Sequence, residues 1–449
     1  MSARGLPTRS ALAAAAILIT GCELAAPELE TRTLALPSPE GVEPVFEPHL
    51  SLDPSDPDRI LVAAHYGVGY NRGGKSIWTW HSGDGGRTWE GARMPLPNEA
   101  AALAADAVTG FDERGRGYVS FLYADTTGRR FDGGAALAVT TEGSRSLGPA
   151  RTFVGGGLER GGAIDKDWIA LDRHPTSPFR GSLYLSWHRN IPDFATGTVA
   201  SSFWVTASRD GGATFESERR VADAFSGQLA VRRDGTVDAI FAPAGEAVLL
   251  HAASTDGART FSAPDTIATL IPAAGPRPTT PLDVPALLAH GDSLLVCWSA
   301  SRAADSTRFA IRCAISPDGA RWDAPNDVVP DLPRSESLGF PALASGAGAT
   351  WLLGYHGDST GTRVVLFRSK DGGRHWSEFR ELARRGLGVD RFCLAAGAAC
   401  RRAEPGTVFF PGDYFGLDAG TERVAAAFVL PAEERPDALP TVYVSLVRP

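Results

Sequence analysis

Short runs of alternating apolar and polar residues recur along the whole chain, each bounded by a cluster of Gly, Asp and Ser. RILVAAH (59–65), GYVSFLY (117–123), GSLYLSW (181–187), DAIFAP (238–243), LLVCWS (294–299) and TWLLGY (350–355) form one set. A second set follows a few residues later: SIWTWH (76–81), AALAVT (135–140), FWVTA (203–207), AVLLHAA (247–253), FAIRCAI (309–315) and RVVLFR (363–368). Period-two alternation with β-branched and aromatic residues predicts strands.

Each run of the second set leads into the same short phrase. Ser82-Gly83-Asp84-Gly85-Gly86-Arg87-Thr88-Trp89 is the cleanest copy, followed closely by Ser208–Phe215, Ser254–Phe261 and Ser369–Trp376. Ser316–Trp322 is one residue short, and Thr140–Leu147 is a worn copy with Glu142 in place of Asp. An Asp followed by Gly is a tight-turn sequence, in which the carboxylate accepts backbone N–H bonds and Gly takes a positive φ. Asp84, Asp210, Asp256, Asp318 and Asp371 are therefore structural acceptors, and the phrase, called the box below, is a hairpin turn used once per unit. Copies lie 58, 68, 46, 62 and 53 residues apart, a period range that points to a propeller or solenoid.

Read outward from its box, each unit has four strands: A, B, C leading into the box, and D leaving it. After the sixth box a further A–B–C set appears: DYFGLDA (413–419), RVAAAFV (423–429) and TVYVSLV (441–447). It has neither box nor D strand, and the unassigned run TRTLALP (31–37) supplies one. The prediction is an all-β propeller of seven blades, its N-terminal strand closing the last blade and hiding an open sheet edge; six blades is the alternative.

The box resembles the Asp-box, or BNR, repeat of sialidases and related β-propellers. Phrases such as EPHLSLDPSDPDRILVAA, DKDWIALDRHPTSPFRGSLYLSWH and PGDYFGLDAG further resemble exported bacterial BNR-repeat proteins of sialidase-like type. That resemblance implies a glycan as partner, either processed or bound, with a protein-binding scaffold on the cell envelope as the other reading.

The first residues agree with export. Arg4 and Arg9 precede a short apolar stretch from Ala11 to Thr20, which reads as a signal peptide. Ile19-Thr20-Gly21-Cys22 resembles the lipobox of bacterial lipoproteins, which implies lipidation of Cys22 and an outer-membrane anchor facing the periplasm or the surface. The expected organisation is a signal peptide over 1–21, a linker over 22–30 and one propeller domain over 31–449. Four cysteines remain. Cys393 and Cys400 bracket a short Ala/Gly loop and are expected to form a disulfide; Cys297 and Cys313 lie on consecutive strands and either pair across a hairpin or stay free thiols. A net charge of −8 without a basic cluster excludes a nucleic-acid partner, the lipid anchor is the expected membrane attachment, and the chain is expected to be a monomer.

Propeller topology sorts the remaining polar residues by face. Starts of A strands and ends of B strands share the face opposite the boxes, where concave ligand sites form. That face gathers Glu47, His49, Asp106, Asp165, Asp167, Asp413 and Tyr414 from A strands, and His65, His188, Arg189 and His356 from B strands. The sialidase resemblance implies an arginine triad that clamps a substrate carboxylate, a tyrosine nucleophile and an Asp acid/base. Tyr414, with Asp413 beside it and Asp106 or Asp165 as acid, are the catalytic candidates; Glu47, His49, Asp167, His65, His188, His356 and Arg189 are ligand-binding candidates. The Arg-Ile-Pro motif of the first triad arginine is absent, its place reading Phe46-Glu47-Pro48-His49, and Arg72, Arg160, Arg189, Arg302, Arg334 and Arg391 are the available substitutes. No compact metal-ligand loop is present, so no metal or other cofactor is expected beyond a structural calcium that the acidic ring could hold.

Overall fold

The computed structural model describes residues 31–37, 45–66, 76–98, 101–125, 133–140, 146–157, 160–193, 195, 198–243, 246–271, 285–303, 308–392 and 408–449. The signal peptide, Cys22, Arg72, Cys393 and Cys400 lie outside the described residues. Within them the chain is all-β, and its strands form seven four-stranded antiparallel sheets. In blade 1, strand A is Val45–Leu52, B is Ile60–Tyr66, C is Ser76–Ser82 and D is Glu90–Arg93. The next five blades repeat this order from the channel outward, with A strands of neighbouring blades in contact around the ring. The seven-bladed reading is correct and the six-bladed alternative falls.

Blade 7 is built from both ends of the chain. Its inner strands Gly416–Ala419, Val424–Pro431 and Pro440–Val447 are completed on the outside by Thr31–Ala35, with Thr31 opposite Val447 and Ala35 opposite Tyr443. The chain thus closes its own ring, and the sheet edge that Pro440–Val447 would expose is paired.

The boxes lie at the C–D turns. In blade 1 the Asp84 Oδ1 accepts the backbone N–H of Arg87 and of Thr88, both at 2.9 Å, while Oδ2 accepts the Thr88 hydroxyl at 2.6 Å. Ser82 Oγ donates to the same carboxylate and accepts the Gly86 N–H, and the Trp89 indole folds back to the Gly86 carbonyl. Asp210 and Asp256 repeat this set through Thr214 and Thr260. Hydrogen bonds from the threonines hold Asp210 down at about 2, and the same bonds, overcoming burial, do so for Asp256. Gly86 has φ +81°, and a Cβ there would also collide with Leu446 of blade 7. The second box glycine therefore lets the turns of blades 1, 3 and 6 seat against the preceding blade, for Gly212 meets Leu137 and Gly373 meets Leu295 in the same way.

Between the blades the core is apolar and aromatic, with Trp80, Trp187, Trp298 and Trp351 fully buried. In blade 5, Cys297 and Cys313 face each other on strands B and C with Cα atoms 4.1 Å apart and form a disulfide, which settles the pairing that the sequence left open.

Candidate functional site

Besides a skip between Phe225 and Gly227 in blade 4, the inner strands of four blades carry a β-bulge that holds a left-handed residue. The ladder skips between Phe46 and His49, between Ala105 and Val108, between Asp165 and Trp168, and between Gly339 and Ala342. In each bulge one non-glycine residue takes a left-handed backbone: Glu47 (φ 51°), Asp106 (φ 56°), Lys166 (φ 49°) and Phe340 (φ 59°). Such a conformation costs on the order of 1 kcal/mol per residue and has to be held by its surroundings. The bulge re-aims a side chain that ladder geometry would have sent into the blade stack. In blade 6 the group is apolar, and Phe340 packs on Tyr355 and Phe415. In blades 1, 2 and 3 it is charged.

Those three charges meet. Lys166 Nζ lies 2.6 Å from Asp413 Oδ2 of the blade 7 entry and 4.0 Å from both Glu47 and Asp106. Glu47 also accepts the Asp413 backbone N–H at 3.0 Å and faces His65 Nδ1 at 3.3 Å. Tyr414 closes the cluster: its ring lies 5.7 Å from the ammonium and edge-on to Trp168, and its hydroxyl donates to the Ala107 carbonyl at 3.2 Å. Trp168 in turn meets His49, whose Nδ1 accepts the Thr109 N–H and is therefore the unprotonated ring nitrogen. Asp167, next to Lys166, points the other way and accepts the Ser120 hydroxyl, while its second oxygen is buried without a partner.

Electrostatics follow from burial. Removal from water raises the Glu47 carboxyl to about 8 against the pull of Lys166, so it is protonated at neutral pH. Burial likewise lifts Asp167 well above the carboxylate range and Tyr414 well above the phenol range, and drops His49 to about 4. For Lys166, burial pulls downward but Asp413, Glu47, Asp106 and Asp165 outweigh it, and the ammonium is held. Neutral acids beside an ionised one are the ingredients of acid/base chemistry. Access is not provided: Glu47, Asp106, Asp413 and Tyr414 are each only 5–8% exposed, with Lys166 at their centre. Glu47, His65 and Asp106 are also close enough together to share a cation. The Lys166 ammonium stands 4.0 Å from both Glu47 and Asp106, so a cation bound there would share these donors with it.

The other candidates lie elsewhere. Asp165 accepts from Asn190 on strand B of blade 3. His188 is fully buried against Phe203, its Nδ1–H donating to the Ala224 carbonyl, and His356 bridges Glu336 and Arg363. His65 and His188 occupy equivalent positions, opposite the last residue before the bulge (Phe46 and Asp165), but in blade 6 that position is Tyr355, opposite Gly339, and His356 lies one residue beyond, opposite Leu338; only His65 joins the cluster. Arg189 is spent on Glu218 and on the carbonyls of Gly155 and Arg160. No described arginine contacts Tyr414; the cation there is Lys166. Sequence reasoning missed Lys166 and Trp168, although DKDW aligns with the FEPH that supplies Glu47 and His49.

No family model matches the chain, and no curated protein does. Solved structures resemble it in fold. A protein of unknown function from Dyadobacter fermentans matches with a TM-score of 0.52 at 12% identity, covering 94% of this chain and 100% of that one. An ulvan lyase of polysaccharide lyase family PL25, with bound -[GlcA(1-4)Rha3S]-, matches with a TM-score of 0.52 at 11% identity over 92% of this chain and 95% of its own. The sialidase of Trypanosoma rangeli gives 0.44 at 10% identity and is covered over 60% of its length. At these identities the likeness is one of fold.

Proposed function

We propose that the protein is an exported Asp-box propeller, lipid-anchored through Cys22, that binds extracellular glycans rather than hydrolysing them. The observation that carries the second half is the state of Tyr414. A tyrosine nucleophile needs a base to take its proton and an open approach to the sugar. Here the hydroxyl donates to a backbone carbonyl, burial and then the neighbouring acidic groups oppose its ionisation, and the Lys166 ammonium lies 5.7 Å from its ring. The glycan half draws on the box phrases and on the carbohydrate-acting neighbour with the same propeller fold. In this reading the charged cluster is a clamp joining blades 1, 2, 3 and 7, and recognition takes place on exposed surface.

The test is a glycan array probed with the purified full chain, alongside a sialoside hydrolysis assay. Glycan retention without release of sialic acid is expected, and Tyr414→Phe should leave retention unchanged. Sialic acid release by the wild type that Tyr414→Phe abolishes would make the protein a sialidase and overturn the reading.

A further inference from the structure

An open cleft runs along the junction of blades 2 and 3. Its two lobes, of about 400 and about 370 Å³, share Arg160, Arg189 and Glu218. One wall is Arg151–Gly156, the outer strand of blade 2; the other is the hairpin Leu183–Asp193 and Thr198–Ser208 of blade 3. Both hairpin strands are 11 residues long, against 7 each in the blade 1 hairpin, and they carry the exposed Ile191 and Val199 near the tip.

The cleft is organised around one unpaired cation. Arg189, 6% exposed, donates to the carbonyls of Arg160 and Gly155 and to Glu218, with its guanidinium 5.4 Å from the Trp204 ring. These bonds fix the backbone of Arg160 over the cleft. The Arg160 side chain is exposed, and its guanidinium has no hydrogen-bond or ion-pair partner among the described residues. Its side chain lies across Gly155, where a Cβ would come within 2.7 Å of Nη1, so the glycine leaves the berth that the guanidinium occupies. The other charges lining the cleft are already matched: Arg220 with Asp223, and Glu216 with Arg209 and Arg259.

The geometry points to a binding site for a carboxylated saccharide, with Arg160 receiving the carboxylate. A guanidinium fork offers two parallel donors that match a carboxylate, and among the described residues that line the cleft the one uncommitted charge is of the sign required. Ile191 and Trp204 present apolar surface to the sugar ring, and Glu218 and Asp223 lie within the same walls as hydroxyl acceptors. The site is distinct from the Lys166 cluster, and the inference rests on the glycan-binding reading above, whose ligand class it names.

The probe is a hexamer of galacturonic acid, titrated calorimetrically into the full chain, with its fully methyl-esterified form and a sulfated neutral hexasaccharide as comparisons. The acid should bind, the ester should bind about tenfold or more weaker, and Arg160→Ala should lose a similar factor, the scale of one charge-assisted pair. Melting temperature should stay unchanged in Arg160→Ala, and Gly155→Val, which displaces the guanidinium, should reproduce the loss. Equal binding of acid and ester, binding of the sulfated sugar alone, or wild-type affinity in Arg160→Ala would each overturn the site while leaving glycan binding itself intact. If neither the hexamers nor any arrayed glycan binds the wild type, the site and the glycan reading fall together.

Discussion

A side chain in a left-handed bulge points where no ladder position would send it, and this is why Glu47, Asp106 and Lys166 meet although each begins a different blade. Sequence made the acidic members visible, because Asp and Glu recurred at the starts of inner strands. Lys166 was invisible: a lysine between two aspartates reads as a solvated loop, and nothing in a two-residue alternation marks a bulge. Burial then has a measurable consequence at Glu47. The folded carboxyl titrates at about 8 and an unfolded one near 4.5, so between these values the folded state binds the extra proton and stability falls as pH rises. The contribution is fully present below about 4.5 and gone above about 8. Thermal melting of Glu47→Gln across that window should show a shallower decline than the wild type, and parallel curves would mean that Glu47 is ionised in the fold.

At the scale of the element, the box was the most legible feature, because its chemistry is local. The carboxylate, the glycines and the hydroxyls sit within eight residues and satisfy one another. The short copy in blade 5 keeps the carboxylate but binds Arg321 where others bind a threonine, and the blade 6 copy uses His375. Replacing both Asp210 and Asp256 by Ala should lower stability by about 1–2 kcal/mol in urea titrations, the figure kept small because these turns face solvent. The sign with pH is fixed: both groups titrate at about 2 when folded against 3.8 ordinarily, so the stabilisation is present above about 4 and disappears as pH falls through about 2. The gap between wild type and double variant should close over that interval. A pH-independent gap would assign the loss to the glycine geometry instead of the carboxylates.

For the whole molecule, the count of seven came from three strands that lacked a fourth and one strand that lacked a sheet, an arithmetic that needs no knowledge of packing. The arginines could not be placed so simply. Which one faces the channel depends on inter-blade stacking, and Arg189, equivalent by position to the ends of other B strands, instead spans to blade 2. Removing residues 31–37 should expose the edge of Pro440–Val447, lower the melting temperature and produce oligomers in size-exclusion chromatography. A deleted chain that elutes and melts like the wild type would show that three strands suffice for blade 7.

The same closing strand also sets an order of events in time. Thr31–Ala35 is among the first segments of the domain to be synthesised, and its partners, Tyr443–Val447, are the last. Until Tyr443–Val447 has emerged, the first strand has no sheet to join and the ring stays a crescent with two open ends. Long-range pairings of this kind form late and slowly. Blades 1 to 6 can gather as they emerge, but the clasp closes only once Tyr443–Val447 has emerged, so a chain truncated before these residues leaves its first strand without a sheet.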